Sequence, residues 1–541
     1  MKNSGRENRS LFIRIAAAGI ALLMLVPFLP GCSGRGRPGG GDAQGTPVPS
    51  ASPEATEEPS QGGTLRLAIP VNAPYSDPLE VTTEEMLNLF SLVYDTLLTI
   101  SPSGELEPCL CESWTSEGPG EWLLKLREGV KWHNGDAFKA SDVVLTYEAL
   151  RQMDESYYKP CLDHIINIQA LNPTTLRVRL DTVGIMGLYS LTFPIRKNKA
   201  LMGTGAYRLD YMTDEQIMLR VNENWWNKRP YIDRVLFSER DSNSTALASY
   251  EAGQLNMVPT DVLTAGKYSK SGETNVLDVM TQNMEVLLFN SRSPVFSDKN
   301  VRLAVAHGIN RSRIITNVYS NRARAADVPI PPDSWLYDSR SASLNYDAAA
   351  ASVLLAEAGY TITGDDSAVL SQPTGRKLSV KLLTSASTEN TPRSEAAALI
   401  ASQLGSIGFE VEVLTAPHTL GDPDSEFIKA LREGSWDMAL VGFNLSPGGE
   451  LTSYVRPEGA NNYGHINDSE LSRLVLKMNV ADSEESLREA AYEFQSYFVE
   501  NVPFLTLYFR LNSIIFSSDI EGVYGAREPL LFADEKNWFF R

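Results

Sequence analysis

The chain has 541 residues, of which 43% are hydrophobic and 21% charged, and its formal net charge is −19. This composition excludes collagen, coiled-coil and wholly disordered proteins, and the length predicts two or more domains with hydrophobic cores. The first 31 residues contribute +3, so the remaining residues carry −22. A body that acidic repels phosphate, which argues against nucleic-acid binding and against a surface that adheres to anionic lipid.

The N-terminus has the pattern of an export signal. Residues 1–14 contain four basic side chains, and an apolar run, 15–29, follows them. The run is shorter than the roughly 20 residues that a membrane-spanning helix needs, and it is typical of a secretory signal. It ends in Leu29-Pro30-Gly31-Cys32-Ser33, which resembles the bacterial lipobox. We therefore predict a cleaved signal peptide over 1–31 and a lipid on Cys32; the alternative is an uncleaved anchor.

A change of composition follows the signal. Residues 33–63 contain eight Gly and five Pro but no Leu, Ile, Phe, Tyr or Trp. Such a segment cannot form a core, so we predict a disordered tether over 32–61.

From residue 62 the pattern becomes mixed α/β. Alternating or short apolar runs predict strands, and a capping residue followed by apolar residues three or four apart predicts a helix. The predicted strands are 64–69, 122–126, 377–383, 409–414 and 436–443. The predicted helices are 141–153, 348–358, 393–407 and 484–499, with Ser141 and Asp347 as N-caps of the first two. The succession of strand, helix and strand over 377–414 predicts a βαβ unit with a parallel strand pair.

Motifs for catalysis are missing from the sequence. It contains no HExxH, GxSxG or GxxxxGK[ST] pattern. Cys109, Cys111 and Cys161 with His164 form C-x-C followed by C-x-x-H. This set leaves three alternatives open: a zinc site, a disulfide from Cys161 to Cys109 or Cys111, and buried free thiols.

Short motifs along the body form an ordered series. They are Gly62-Gly63-Thr64-Leu65, Tyr94-Asp95-Thr96-Leu97-Leu98, Glu112-Ser113-Trp114, the run 126–136 with Ser141-Asp142-Val143-Val144, Gly203-Thr204-Gly205-Ala206-Tyr207, Asn222-Glu223-Asn224-Trp225-Trp226, the run 301–311, Pro329-Ile330-Pro331-Pro332, the run 354–360 and Pro503-Phe504-Leu505-Thr506-Leu507-Tyr508. In this order, over about 62–515, they resemble the extracytoplasmic solute-binding proteins of family 5, whose members serve peptide, nickel and related ABC importers.

The resemblance implies an α/β, periplasmic-binding-protein type II fold with two lobes and an extra subdomain in lobe one. Lobe one would comprise 62–286 plus 508–541 and lobe two 287–507, with the chain crossing near 287–289 and 505–507. It also implies a monomer without catalytic residues, resident metal or cofactor, outside the cytoplasmic membrane and held to it by the lipid. Its partners would be a small or peptide-like solute and the ABC permease and ATPase subunits.

The resemblance also indicates where the solute would bind. Peptide-binding members place an Asp after a Trp, in a stretch like Gly-Trp-x-Ala-Asp-Tyr, to pair with the α-ammonium of the ligand. Here Phe443 takes the place of the Trp and Ser446 that of the Asp. We therefore expect the amino end of free peptides to lack its partner, since an unpaired buried charge is costly. The candidate ligand-binding residues are Phe443, Asn444, Ser446, Asn462, Tyr463, Tyr75 and Trp335.

Other interpretations remain for these residues and for the whole chain. Phe443 and Trp335 are equally suited to core packing, and Asn462 to bracing a loop. The alternatives to an importer component are a solute-sensing receptor of the same fold, a haem or metal-chelate binder, and an extracellular hydrolase.

Overall fold

The structure is a computed structural model that describes residues 59–70, 77–81, 83–197, 201–270, 272–341, 343–361, 369–386, 391–419, 421–446 and 448–541. The predicted signal peptide, Cys32 and nearly all of the predicted tether lie outside these residues. Among the helices described, none is both long and apolar enough to cross a bilayer.

The strands and helices follow the mixed pattern of the sequence. The strands are β1 (Thr64–Pro70), β2 (Leu98–Ile100), β3 (Leu106–Pro108), β4 (Cys111–Gly118), β5 (Glu121–Leu126), β6 (Ile165–Asn172), β7 (Thr175–Leu180), β8 (Tyr207–Met212), β9 (Gln216–Val221), β10 (Arg234–Arg240), β11 (Met257–Thr260), β12 (Thr274–Phe289), β13 (Ala323–Ala325), β14 (Ser379–Ala386), β15 (Glu410–Pro417), β16 (Met438–Asn444), β17 (Phe504–Ser517), β18 (Ile520–Glu521) and β19 (Phe539–Phe540). The helices are α1 (Glu84–Val93), α2 (Ala140–Arg151), α3 (Asn243–Glu251), α4 (Lys299–Gly308), α5 (Arg311–Tyr319), α6 (Ala348–Glu357), α7 (Thr391–Gly405), α8 (Glu426–Glu433), α9 (Thr452–Val455), α10 (Ser469–Asn479) and α11 (Glu484–Asn501).

The first lobe contains two four-stranded sheets. One has the order β1-β10-β9-β8, with β1 and β10 parallel, and the alternation along β1 buries Leu65, Leu67 and Ile69. The other, β4-β5-β7-β6, is antiparallel throughout. With α2 packed on β6 it forms the extra subdomain that the resemblance implied.

Helix α2 begins one residue before the predicted N-cap. Its N-cap is Lys139, whose backbone N–H donates to the carboxylate of Asp142 at 2.9 Å. An acidic residue at the third helical position can accept this N–H and also interacts favourably with the helix dipole. Ser141 therefore lies inside the first turn, and its prediction as the N-cap is wrong.

The second lobe contains the predicted βαβ unit. Strands β14 and β15 pair in parallel from Ser379↔Glu410 onward, and α7 connects them and packs on both. The first strand starts two residues later than predicted because Lys377 and Leu378 instead pair with Ser371 and Leu370. The prediction of Asp347 as the N-cap of α6 is confirmed, since its carboxylate accepts the N–H groups of Ala349 and Ala350.

Two long strands lie side by side where the lobes join. β12 has 16 residues and β17 has 14, and they pair antiparallel along most of their length. The early half of β12 pairs with the late half of β17, which in turn pairs with β11. The late half of β12 pairs on its other side with β16. The β12–β17 ladder is irregular between Met280 and Met284 and again between Glu285 and Val286. The crossings predicted at 287–289 and 505–507 remain predictions.

Candidate functional site

A narrow cleft separates the lobes. Its cavity is lined by Gly104, Tyr189 and Arg527 of the predicted lobe one, by Gln282 of β12, and by Trp335 and Gly448 of the predicted lobe two, among others. About 20 Å³ remains there, which is room for about one water. A larger solute therefore enters only if the lobes separate.

Direct contacts between the lobes close the cleft on one side. The N–H of Ile185 donates to the carbonyl of Ala481 at 2.8 Å, and the backbone N–H of Trp335 donates to Ser103 at 2.9 Å. Gly184 lies so close to Asn479 that a side chain there would overlap its carbonyl oxygen. Ile185 and Ala481 are both buried and belong to one continuous hydrophobic core, so apolar packing accompanies these backbone hydrogen bonds.

Trp335 is one predicted site residue that the structure places at the cleft. Its ring is half-buried, and the guanidinium of Arg488 lies over it at 5.1 Å from the centroid. Arg488 also pairs with Glu105 of the first lobe at 3.7 Å. An aromatic ring next to charged residues of both lobes can hold the apolar part of a solute while the ion pair covers the rim.

Phe443 and Asn444 end strand β16, which leads from the lobe junction. Phe443 is buried and packs edge-to-face on Tyr454 at 4.9 Å, while the Asn444 side chain is exposed. The hydroxyl of Tyr454 donates to the carbonyl of Asn444 at 3.2 Å. Phe443 thus packs the end of β16 onto the core, whereas the Asn444 amide is accessible to solvent.

Ser446 lies in the turn after β16. Its side chain is exposed, and its Oγ accepts the N–H of Glu450 at 3.2 Å while its carbonyl accepts that of Gly449 at 2.8 Å. The hydroxyl therefore shapes the turn that carries Gly448 to the cleft.

Asn462 and Tyr463 follow in the next loop. The Asn462 amide donates to Arg456 O and Ile466 O and accepts from Ile466 N, each at 2.8 Å. These bonds use both amide hydrogens, so Asn462 braces the loop. Tyr463 is half-buried against the core. Tyr75 lies outside the described residues.

Several cleft residues had no signal in the sequence. Arg527, Gln282 and Tyr189 come from distant parts of the chain, and none belongs to a recognisable pattern. Tyr189 donates its hydroxyl to Gly104 O at 2.6 Å, and burial raises its pKa to about 12, so it stays a neutral donor. Gly448 permits the close approach of the Tyr189 ring, since a side chain there would lie 3.2 Å from it, but a single glycine does not identify a cleft residue in a sequence.

A larger cavity of about 200 Å³ is lined by first-lobe residues. In its wall the carboxylate of buried Asp95 accepts from Trp226 Nε1 and Thr204 Oγ1, each at 2.8 Å. These three residues belong to separate motifs of the sequence, so the motifs meet in a structural network. Glu535 lines the same cavity, and burial raises its pKa to about 8.

Cys109 and Cys161 also line this cavity, and with Cys111 they are free thiols. The disulfide alternative is therefore not present in the structure. In the part of the chain that the structure describes, no three metal-ligating side chains cluster.

Comparison with known proteins places this geometry in a family. The model of the bacterial extracellular solute-binding proteins, family 5, matches residues 105–464. The oligopeptide-binding protein AppA of Bacillus subtilis is 24% identical, over 96% of this chain and 97% of its own. The nickel-binding periplasmic protein of Escherichia coli is also 24% identical, over 79% of this chain and 85% of its own.

A solved structure agrees with the two-lobed fold. HbpA2 from Haemophilus parasuis superposes with a TM-score of 0.76 at 19% identity, covering 88% of this chain and 100% of that chain. The type II two-lobed fold predicted from the sequence is thereby confirmed, and so is the predicted role in solute binding for an ABC importer. The chain belongs to the bacterial extracellular solute-binding proteins of family 5.

Proposed function

We propose that the chain is a lipid-anchored binding protein that captures a small solute between its lobes and delivers it, unchanged, to an ABC permease. Cys32 carries the lipid, and the tether 32–61 keeps the body near the permease, which raises its effective concentration there. Lobe one comprises 62–286 plus 508–541, and lobe two 287–507. The protein acts as a monomer and breaks no bond in the solute.

The observation that carries this proposal is the cleft between the lobes. Residues of both lobes and of crossing strand β12 line one small cavity, and polar contacts join the lobes beside it. A solute held by both lobes stabilises the arrangement in which they meet by its differential affinity for that arrangement. Exclusion of water then strengthens each polar contact to the solute.

The solute is held differently from a free peptide. The names of relatives include oligopeptide and nickel binders. In this chain Ser446 stands where peptide-binding members have the acidic partner of the ammonium, and its hydroxyl is occupied in a turn. We therefore propose a solute without a buried ammonium, with Trp335 and Asn444 among its contacts and Tyr463 and Tyr75 as further candidates. Phe443 and Asn462 support the site from behind.

The experiment is mass spectrometry of the solute that the detergent-purified full chain releases on denaturation, followed by rebinding to the stripped protein. We expect one class of small molecule, and small-angle scattering should show a decrease in the radius of gyration when it rebinds. Release of a chemically altered product from added solute, or the lack of any bound or rebinding solute, would contradict the proposal.

A further inference from the structure

Two buried polar side chains face the cleft cavity with hydrogen-bonding capacity to spare. Arg527 and Gln282 are each 8% exposed, and both line the cavity. Within the described residues, the Arg527 guanidinium makes one hydrogen bond, from Nη1 to Pro102 O at 2.8 Å. The Gln282 side chain makes none there, although its backbone carbonyl accepts from Leu445. Their remaining N–H and C=O groups are therefore available to a group bound in the cavity.

Arg527 is positively charged, so the lack of a nearby counter-ion lowers the stability of the protein. Across the described residues, no carboxylate forms an ion pair with its guanidinium within 4.0 Å. Asp333, whose side chain is exposed, is the acidic residue that acts on it from a distance. A buried cation without a close counter-ion is destabilising, and a bound anion would remove this cost.

The Arg527 guanidinium lies close to the backbone of Gly104. A side chain at residue 104 would lie 3.1 Å from Arg527 Nη2, and Gly104 has a φ of +90°. Both the close approach and the left-handed backbone therefore favour glycine at this position. Gln282 lies within the irregular stretch of β12 between Met280 and Met284. Arg527 comes from the predicted lobe one and Gln282 from β12, and both line the same cavity. A single chemical group of the solute could therefore contact both side chains.

We infer that Arg527 and Gln282 together bind a carboxylate of the solute. A guanidinium presents planar, paired N–H donors that fit a carboxylate, and the Gln282 amide adds another N–H donor. This inference rests on the proposed function, because it specifies the solute that the cleft takes.

The test compares the full chain in detergent with Arg527→Gln, Gln282→Glu and the control Arg340→Gln. Arg340 is an exposed guanidinium that pairs with Asp338, so its loss removes the same charge away from the cavity. Gln282→Glu keeps the size of the side chain and places a negative charge against the carboxylate. Thermal unfolding of the stripped proteins shows which variants fold.

The solute released on denaturation is analysed before and after methyl esterification. We expect the wild type and Arg340→Gln to carry a solute that gains a methyl group at a carboxyl. Each cleft variant should carry about a tenth as much or less, which corresponds to a loss of ~1.4 kcal/mol. The methyl ester should not rebind to the stripped wild type. A folded Gln282→Glu or Arg527→Gln that retains the solute, or an ester that rebinds equally, would overturn the inference.

Two further outcomes are decisive. If the chain purifies empty, N-acetyl-dialanine and its C-terminal amide are the probes, and an acid that binds no better than its amide overturns the inference. A solute without any carboxyl, bound tightly and released unchanged, overturns the inference but supports the proposed function. A chain that binds no solute and no probe overturns both.

Discussion

Glu285 on β12 and Arg393 in the first turn of α7 form a bidentate ion pair, with Nη2–Oε1 and Nε–Oε2 distances of 2.7 and 3.0 Å. Glu285 is 2% exposed, and Arg393 also donates to Ser385 Oγ at 3.1 Å. A side chain at Gly442 would overlap the guanidinium, so this glycine leaves room for the pair. The pair therefore joins strand β12 to helix α7.

Breaking this pair should destabilise the protein strongly. We expect Arg393→Met to lower the free energy of unfolding by about 3–5 kcal/mol, because it leaves the buried Glu285 carboxylate without its partner. The double variant Glu285→Gln/Arg393→Met should recover part of that loss, since neither charge remains. Urea denaturation measures the free energy of unfolding of both proteins, and an Arg393→Met variant within about 1 kcal/mol of wild type would contradict the expectation.

Gly184→Ala should impair the approach of the lobes. The backbone of Gly184 has φ −92° and ψ 175°, which alanine adopts freely, so the effect comes from overlap with the Asn479 and Ala481 carbonyls. We expect solute affinity to fall about tenfold or more and the compaction on binding, seen by small-angle scattering, to shrink. Gly272→Ala is the control because open space surrounds that position. Equal affinities for both variants would refute the role of this contact.

The buried Glu535 should make stability depend on pH. Burial raises its pKa from 4.5 to about 8, so the folded protein holds a proton that the unfolded chain releases above its lower pKa. The stability that this proton contributes is fully present below pH 4.5 and is lost as the pH rises through about 8. By pH 7 the loss in the free energy of unfolding is on the order of 3 kcal/mol.

Glu535→Gln imitates the protonated form and should flatten this dependence. Urea midpoints from pH 5 to pH 9 measure it, with Glu107→Gln, an exposed carboxyl on the same cavity, as the matched control. If both variants follow the wild-type profile, Glu535 does not carry a buried proton.

The lipid on Cys32 predicts a simple change of partitioning. We expect the processed wild type to enter the detergent phase of Triton X-114 and Cys32→Ala to remain in the aqueous phase, because the acyl chains supply the affinity for detergent. Cys161→Ala should partition like the wild type, since that thiol belongs to the first lobe. A processed Cys32→Ala found wholly in detergent would refute the anchor.

The serine at position 446 predicts discrimination against a free amino end. Unmodified di- to pentapeptides should give no thermal shift, because their ammonium would lose its hydration without a carboxylate partner. Ser446→Asp should restore a shift for some of them, whereas their N-acetylated forms should gain nothing from it. Micromolar binding of several unmodified peptides to the wild type would contradict this expectation.

Local patterns predicted much of the fold. The strand, helix and strand over 377–414 were predicted within a few residues, since hydrophobic periodicity and end signals are local properties. The start of α2 was missed because Asp142, inside the first turn, accepts the capping N–H. The cleft was predicted less well: Trp335 was found beside a proline motif, but Gln282 and Arg527 meet only through the tertiary fold.

The pairing of β12 with β17 has a mechanical consequence. If the chain crosses between the lobes near 287–289 and 505–507, as the sequence predicts, both connections run within the β12–β17 pair, and the lobes cannot move independently along each strand. The lobes then move relative to one another by twisting and bending of the β12–β17 pair where it is irregular, between Met280 and Met284. A single pair of fluorophores, one on each half, should therefore follow the whole opening as one coordinate.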